Sequence, residues 1–444
     1  MKNNSLKHIS LIVENGTVLT MDSERKIIED GVVVIDNDKI IDVGDKSLLN
    51  KYSAEKVINA DGGIIMPGMV NTHTHISMVV FRSLADDVPD RLNRYIFPLE
   101  KQMVTAELVY LGALHGTVEM AKSGVTTFCD MYYFEDEVAK AVDKIGLRAI
   151  LGETVVKFPA PDSHEPFGGI AYGEKFIEKY KSHNLITPAF APHAPQTNDT
   201  EHLKIINELS DKYNIPVIMH VAETKEELEI YQEKYRKTPV EYLDSIGMLN
   251  ERFIAAHLIF INDNDIAILK KRNVGIAHNM GANIKSAKGV SPALKMFDDG
   301  LRIGLGTDGP MSGNTLDIIT QMGYVAKLHK LVNNDRTAMP PYKVVEMATL
   351  GGAKALHMED KIGSIEKGKY ADIAIVEVKS PNMIPIYDYY SALVYSANAS
   401  NVETVIVNGK VIVENKELVT FNESVNRKNI QLLCNKIRVL TGEL

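Results

Sequence analysis

Two histidines one residue apart end an apolar segment near the beginning of the chain. His73 and His75 close the run that starts at Ile64, and in a β-strand alternate side chains point to the same face. Imidazole is a common ligand of zinc and related metals, so two rings on one strand end would supply half of a metal site. Two polar residues can also simply terminate a strand, and the choice depends on the rest of the chain.

Three later segments end in the same manner. Each is a short apolar run of strand length, bounded by turn residues, and each finishes in a side chain that can bind a metal: His220, His257 and Asp308. Three imidazoles and one carboxylate would form a site with a coordination position left for water; the residues of this set are His73, His75, His220 and Asp308. A metal in such a site lowers the pKa of its bound water and supplies a hydroxide nucleophile. The pattern therefore predicts hydrolytic chemistry.

Further candidate residues lie close to these strand ends. Glu223 follows His220 in the segment His-Val-Ala-Glu, where its carboxylate can reach a bound water and a leaving group, which suits proton transfer. The same position suits a first-turn acid of the helix that begins near Lys225, and the two roles are compatible. His257 is either a second group that handles protons or orients water, or a structural hydrogen-bonding residue. His193 leaves a similar choice open, with a substrate contact as its functional interpretation.

These residues require a scaffold that brings strand ends together. From Gly63 the sequence alternates between short strands and amphipathic helices, and eight strands are predicted near residues 64–75, 125–130, 147–153, 186–193, 216–221, 253–258, 274–278 and 302–308. Eight strand–helix units favour an α/β fold of the TIM type, a closed parallel (β/α)8 barrel. Catalytic side chains collect at the C-terminal strand ends of such barrels, which is where the candidate residues fall.

The remaining segments predict a second, smaller sheet. Strand-like pieces separated by Asn, Asp and Gly turns occur before residue 60 and return between residues 371 and 413. We therefore predict residues 1–62 as the first part of this small domain and residues 63–360 as the barrel. Residues 361–444 are predicted as the second part of the small domain, with a C-terminal helix near residues 423–440.

Composition narrows the functional classes. The chain of 444 residues has 49 Lys and Arg against 58 Asp and Glu, a net charge of −9, which offers no basic surface for nucleic acid. A small-molecule substrate is the better interpretation. Cys129 and Cys434 are the only cysteines, too few for a disulfide framework or a thiolate zinc site. The first residues lack the apolar core of a signal peptide and no apolar run has membrane length, so we expect a cytoplasmic protein without membrane association.

Taken together, the motifs resemble those of the amidohydrolase superfamily. They are Pro67-Gly-Met-Val-Asn-Thr-His-Thr-His75, His220-Val-Ala-Glu223, Ala255-Ala-His257, His278-Asn-Met-Gly-Ala-Asn-Ile-Lys285 and Gly304-Leu-Gly-Thr-Asp-Gly309. The chain is most similar to the branch that holds methylthioadenosine/S-adenosylhomocysteine deaminases, guanine deaminase and atrazine chlorohydrolase. The resemblance implies a distorted eight-stranded barrel, and it implies that the two terminal segments form a composite β-sandwich.

The resemblance also implies a role for each candidate residue. The metal ligands would be His73, His75, His220 and Asp308. Glu223 would be the proton shuttle, His257 would orient the attack or polarise the substrate, and Asp308 would also accept a proton from the attacking water. Members of the family with two metals carry a carbamylated lysine on the fourth strand, which here reads Ala189-Phe-Ala-Pro-His193. One divalent metal is therefore implied, with Zn2+ favoured and Fe2+ compatible with the same nitrogen and oxygen ligands.

The acid at Glu223 favours deamination, because ammonia is a poor leaving group that must be protonated whereas chloride is not. We predict a metal-dependent aminohydrolase that deaminates an amino-substituted N-heterocycle, either an adenosine-, methylthioadenosine- or S-adenosylhomocysteine-type nucleoside or a related purine or pterin. The alternatives are a triazine-type chlorohydrolase or amine hydrolase and a guanine- or cytosine-type free-base deaminase. A scaffold without activity is disfavoured by the intact ligand set.

Two further residues are candidate substrate contacts by resemblance. Glu100 ends the segment Tyr95-Ile-Phe-Pro-Leu-Glu100, which resembles a ribose-binding part of the nucleoside deaminases. Lys157 is the nearest basic residue in the loop after the third strand, where enzymes that bind a homocysteine tail carry arginine. Because that loop lacks arginine, a substrate with an amino-acid tail is less favoured than a base, a pterin-like ring or a short nucleoside. A homo-oligomer is expected for a member of this family.

Overall fold

The structure is a computed structural model that describes residues 6–89 and 91–441. The strands are β1 (Lys7–Leu19), β2 (Ile27–Asp36), β3 (Lys39–Gly44), β4 (Tyr52–Asn59), β5 (Ile64–Pro67), β6 (Met69–Thr74), β7 (Val125–Tyr132), β8 (Arg148–Val155), β9 (Ile186–Pro192), β10 (Val217–Val221), β11 (Phe253–His257), β12 (Gly275–His278), β13 (Arg302–Leu305), β14 (Ile373–Val376), β15 (Val402–Val407), β16 (Lys410–Glu414) and β17 (Glu417–Leu418). The helices are α1 (Phe97–Met103), α2 (Ala106–Lys122), α3 (Glu135–Ile145), α4 (Gly169–Tyr180), α5 (Thr200–Tyr213), α6 (Lys225–Tyr235), α7 (Pro239–Ser245), α8 (Asp263–Lys271), α9 (Met280–Lys285), α10 (Ala293–Asp298), α11 (Pro310–Gly313), α12 (Ile318–Val332), α13 (Pro341–Ala348), α14 (Leu350–Ala355), α15 (Tyr389–Ser391) and α16 (Glu423–Thr441).

The barrel sheet has eight strands in sequence order from β6 to β13. Pairing from β8 to β13 is parallel, and most of the residues in these strands are buried, as expected for strands that are covered on both faces. After β13, the amides of Thr307 and Asp308 donate to the carbonyl of His73 at 3.2 and 3.0 Å. These bonds connect the last strand with the first. The predicted eight-stranded barrel is confirmed.

The second sheet has nine strands and combines both terminal segments. Its order is β17-β16-β15-β14-β5-β1-β2-β3, with β4 also paired to β1. Side chains alternate between two apolar clusters along β1, because Leu11 and Val13 belong to one cluster and Ile12 to the other. Strand β1 is therefore packed on both faces. The prediction that N- and C-terminal segments build one small β domain is confirmed.

The chain divides into two compact units, each built from segments that are distant in sequence. The first contains the described part of Met1–Asn71 together with Met120–Thr127 and Asp317–Thr420. The second contains Thr72–Glu119, Phe128–Leu316 and the described part of Phe421–Leu444. All the candidate site residues belong to the second unit. The domain boundaries after residues 62 and 360 stay predictions.

One helix differs from its sequence-based expectation. The sequence predicts one helix over residues 343–356, but the structure has two, α13 and α14. They are separated at Thr349, whose φ of −127° and ψ of −97° are not helical. The hydroxyl of Thr349 donates to the carbonyl of Val345 at 2.7 Å, a side-chain bond that competes with the regular helical pattern. The terminal helix is confirmed as α16. Within residues 6–89 and 91–441, no helix is both long and apolar enough to cross a membrane.

Candidate active site

The four predicted metal ligands converge at the C-terminal ends of the barrel strands. One potential ligand atom from each lies within 4.8 Å of those of the other three; the residues are His73, His75, His220 and Asp308. Nε2 of His220 is 3.1 Å from Nε2 of His73 and 3.3 Å from Nε2 of His75. Oδ1 of Asp308 is 3.2 Å from Nε2 of His75. The structure thus brings together the whole set that the sequence predicts.

Backbone carbonyls select the ring nitrogen that each of two imidazoles presents to this cluster. Nδ1 of His220 donates to the carbonyl of His193 at 2.9 Å, and Nδ1 of His75 donates to the carbonyl of Met131 at 2.5 Å. A carbonyl only accepts, so Nδ1 carries the hydrogen in both rings, and Nε2 is the nitrogen that can coordinate. Metal-binding histidines are usually oriented by such a bond on the second ring nitrogen.

The electrostatics of three of the four residues match the protonation states that metal ligands need. Burial, together with nearby histidines, holds the pKa of His73 and of His220 well below the ordinary value. Burial would lower the pKa of His75 too, but the bond to Asp308 raises it to about 9. Burial would raise the pKa of Asp308, yet the pairing with His75 keeps it well below the usual range. Two neutral imidazoles and one carboxylate are therefore ready to bind a cation, which would displace the proton of His75. The donor set fits one divalent metal.

The backbone is strained at two of the site residues. Asp308 has a φ of +58° and His257 has a φ of +75°, and residues other than glycine rarely adopt positive φ values. The amide of Gly309 donates to Oδ1 of Asp308 at 2.6 Å, and the hydroxyl of Thr74 donates to the Asp308 carbonyl at 3.1 Å. Such conformations persist where the surroundings over-determine them, often at functional sites.

A strained loop after β10 carries Glu223. Ala222 has a φ of +50°, and the buried carboxylate of Glu227 accepts the amides of Ala222 and Glu223 at 2.9 and 3.0 Å. The hydroxyl of Thr224, the N-cap of α6, accepts the amide of Glu227. Glu227 thus fixes the backbone of Glu223 from the first turn of the helix that follows.

The carboxylate of Glu223 has one anchored oxygen and one unoccupied oxygen. Oε1 accepts from Nζ of Lys288 at 2.5 Å and lies 3.8 Å from Nε2 of His257. Oε2 has no hydrogen bond to any residue in the described part of the chain. Burial would raise the pKa of Glu223, but the nearby His257 and Lys288 hold it below the usual value. Glu223 is therefore a carboxylate at neutral pH with one oxygen available for a proton.

His257 ends β11 and is held by a residue of α9. Its Nδ1 is 2.8 Å from Oδ1 of Asn283, and because an amide oxygen only accepts, Nδ1 carries the hydrogen. Nε2, the other ring nitrogen, faces Glu223 and lies 3.8 Å from its Oε1. The ring centroid of His257 lies 5.2 Å from that of His220. His257 is thus adjacent to the cluster rather than part of it.

The three predicted substrate contacts have different positions. His193 lies edge-on to His220, with ring centroids 4.8 Å apart. Oε1 of Glu100 accepts from the hydroxyl of Tyr132 at 3.0 Å, and the ring of Tyr132 lies 6.5 Å from that of His75. Burial raises the pKa of Glu100 to about 7. Lys157 is exposed, and its ammonium donates to a backbone carbonyl at 2.7 Å rather than to a group of the cluster.

Sequence reasoning did not identify three supporting residues: Asn283, Lys288 and Glu227. A signal existed for Glu227, because Thr224-Lys-Glu-Glu227 has the capping-box spacing of a helix start. Asn283 lies within the motif from His278 to Lys285, but its partner His257 is 26 residues away in the chain. No local pattern indicates that Lys288 meets Glu223.

Sequence comparisons place this architecture among known proteins. The model of the amidohydrolase family matches residues 64–412. The 5-methylthioadenosine/S-adenosylhomocysteine deaminase of Syntrophobacter fumaroxidans is 37% identical over 431 residues, covering 96% of this chain and 98% of the relative. The 5'-deoxyadenosine deaminase of Methanosarcina mazei is 40% identical over 417 residues, covering 93% and 95%.

Solved structures show the same similarity. An adenosine deaminase from Xanthomonas campestris with bound zinc superimposes with a TM-score of 0.96 at 30% identity, covering 98% of this chain and 100% of that chain. An atrazine chlorohydrolase from Arthrobacter aurescens superimposes with a TM-score of 0.90 at 21% identity, covering 96% and 100%. The second similarity concerns the fold alone.

Proposed function

This chain belongs to the amidohydrolase family, and we propose that it hydrolytically deaminates adenosine-type nucleosides. The observation that carries the proposal is the carboxylate of Glu223, which is anchored through one oxygen and has the other available beside the three-histidine, one-aspartate cluster. Deamination needs a group that first takes a proton and then delivers it, and this carboxylate has the required position and charge.

The residues of the chain divide the proton transfers between them. A divalent cation held by the four ligands would act as a Lewis acid that activates water for attack on the ring carbon bearing the amino group. Glu223 would take one proton from that water and give it to the adjacent ring nitrogen. It would then pass on the second proton of the water, which Asp308 accepts, to the departing amine. Nε2 of His257 would accept a hydrogen bond from the attacking water and so orient it. Asp308 would act as a second acceptor for the proton of the attacking water.

We propose zinc as the metal and a single ion per chain. Three imidazoles and one carboxylate suit zinc, and the adenosine deaminase with a TM-score of 0.96 is described with bound zinc. The strand β9 carries no lysine at the position expected for a bridging carbamate, which supports a single ion. Elemental analysis of protein purified without added metal tests this. Removal with a chelator should abolish activity, and zinc should restore it more fully than ferrous iron.

The substrate we propose has a short or apolar group at the 5' position, as in 5'-deoxyadenosine or methylthioadenosine. One relative named above is called a 5'-deoxyadenosine deaminase and the other a 5-methylthioadenosine/S-adenosylhomocysteine deaminase, and two of these three nucleosides have such a group. Lys157, the basic residue considered for an amino-acid tail, is bound to a backbone carbonyl. Glu100 would accept a hydrogen bond from a ribose hydroxyl, and His193 would contact the base.

Ammonia release by zinc-loaded protein tests the proposal. The panel is 5'-deoxyadenosine, methylthioadenosine, adenosine, S-adenosylhomocysteine, guanine, cytosine, a pterin and atrazine. We expect the highest kcat/KM with the first two compounds. Turnover of a free base or release of chloride from atrazine, without turnover of any nucleoside, would replace the proposal with one of the other reactions of this fold.

The variant Glu223→Gln tests the proton-transfer role. We expect it to retain metal and to lose about 10²- to 10⁴-fold in kcat, the usual size of a general acid–base contribution. Glu226→Gln is the matched control, because Glu226 lies three residues further along the chain and is exposed. Deamination by Glu223→Gln at a rate close to that of the unaltered protein would show that the assignment is wrong.

A further inference from the structure

Helix α9 ends in a turn that fixes the backbone of Lys288. The amide of Ala287 donates to the carbonyl of Ile284 at 3.0 Å, and the amide of Lys288 donates to the carbonyl of Asn283 at 2.9 Å. Ala287 has a φ of +53°. This pair of bonds around a left-handed residue is the Schellman termination of a helix. Lys288 therefore leaves the helix in a defined direction rather than from a free loop.

Helix α9 and the turn that ends it contact both groups that handle protons. Asn283 binds Nδ1 of His257 at 2.8 Å, and Lys288 binds Oε1 of Glu223 at 2.5 Å. One rigid element therefore sets the orientation of two side chains that come from different barrel strands.

The pair between Lys288 and Glu223 differs from an ordinary surface ion pair. Exposed pairs contribute little to stability because water screens them. Here the side chains are only 33% and 21% exposed, and the carboxylate also faces Nε2 of His257 at 3.8 Å. Besides Lys288 and His257, the titratable groups that interact with Glu223 are Asp308, which repels it, Glu227 and His193. Lys288 thus supplies a positive charge that offsets this repulsion.

We propose that Lys288 is a positioning residue for Glu223: it holds Oε1 so that Oε2 is directed to the substrate, and it makes Glu223 enter the reaction as a carboxylate. The first transfer then breaks an O–H bond of the attacking water and forms an O–H bond on Oε2. The second transfer moves that proton to the ring nitrogen of the substrate, while Lys288 keeps its own protons throughout. The inference rests on the proposed role of Glu223.

Kinetics of two substitutions and one control test the role of Lys288. In Lys288→Met we expect kcat to fall about 10-fold or more, with KM within about twofold and metal content unchanged; Lys288→Arg should restore most of kcat. The limb of the pH profile that reports Glu223 should move to higher pH in Lys288→Met, because a nearby positive charge is lost. Lys295→Met is the control, since Lys295 forms only long surface pairs at 3.6 and 3.7 Å. If Lys288→Met does not fold, Lys288→Gln takes its place.

Two kinetic outcomes would overturn the inference. If kcat of Lys288→Met is within about twofold of that of the unaltered protein and the pH profile is unchanged, the ion pair of Lys288 has no role in the reaction. A loss confined to KM would make it a substrate contact instead.

A labelling experiment tests the ion pair without any need for activity. Brief acetylation followed by peptide mass spectrometry should modify Lys288 more slowly than Lys295. The substitution Glu223→Gln should accelerate labelling of Lys288 by about 10-fold and leave Lys295 unchanged. Unchanged labelling of Lys288 would show that the pair does not form and would overturn the inference. Protected Lys288 in a protein that releases no ammonia from any nucleoside would instead count against the proposed function.

Discussion

Glu227 offers a test of how the structure holds its candidate proton shuttle. Glu227 is 1% exposed, and its carboxylate accepts hydrogen bonds from the amides of Ala222 and Glu223 at 2.9 and 3.0 Å. Ala222 is in the left-handed region with a φ of +50°, a conformation that costs an alanine about 1 to 2 kcal/mol. In Glu227→Ala, two backbone donors lose their acceptor while the strain at Ala222 persists. The loop should therefore relax away from its present conformation.

The size of the effect follows from the two lost hydrogen bonds. A buried donor without an acceptor costs about 1 to 3 kcal/mol, so we expect about 2 kcal/mol of lost protection at each amide. Since 1.36 kcal/mol corresponds to a factor of ten, each amide should exchange with deuterium roughly 30-fold faster. A carboxylate displaced by about 1 Å from its reacting position can cost about 100-fold in rate, so kcat should fall by roughly 10- to 100-fold.

Hydrogen–deuterium exchange of the peptide that contains Ala222 and Glu223, together with steady-state kinetics, measures both effects. Glu227→Gln retains one acceptor oxygen and should give a smaller change in exchange and in kcat. Glu226→Ala is the control, because Glu226 lies on the same helical turn and is exposed. The reasoning is refuted if Glu227→Ala leaves both the exchange of this peptide and kcat at the values of the Glu226→Ala control.

Four other predictions concern the metal site, His257, the end of α9 and the substrate contact. Asp308→Asn should bind zinc at least about 100-fold more weakly, since even residues that only support ligands cost 10- to 100-fold; competition with a chromogenic chelator measures this, and unchanged affinity would remove Asp308 from the ligand set. Asn283→Leu should lower kcat about 10-fold because Nδ1 of His257 loses its acceptor. Asn283→Asp keeps an acceptor oxygen and should retain most activity. Equal rates in the two variants would contradict the role of Asn283 in orienting His257. Ala287→Gly should raise the free energy of unfolding by about 0.5 to 1 kcal/mol, and with it the unfolding temperature, because glycine tolerates a φ of +53°. A lower unfolding temperature in calorimetry would contradict this. Burial raises the pKa of Glu100 to about 7, so its carboxylate form becomes dominant only above that pH. The KM for a nucleoside should therefore fall as the pH rises from 6 to 8. A KM that does not change over this range, or that changes equally in Glu100→Gln, would exclude the contact.

Much of the fold was accessible from the sequence because its signals are local. The alternation of short apolar runs with amphipathic helices predicted the barrel, and turn-rich strand pieces at both ends predicted the shared small sheet. The break at Thr349 was not predicted, because a side-chain bond to Val345 interrupts an otherwise helical pattern. The sequence predicts Asp308 as the end of a strand, but the strand ends at Leu305 and Asp308 follows with a φ of +58°.

The sequence alone determined which residues could form the candidate metal site. Ligand type and position at a strand end are properties of short segments, and barrel strands bring their ends together, so His73, His75, His220 and Asp308 could be grouped in advance. Only the tertiary structure decided how the proton-handling groups are held. Lys288 meets Glu223 across 65 residues because a helix termination directs its side chain there, and such a contact depends on three-dimensional packing that no local pattern encodes.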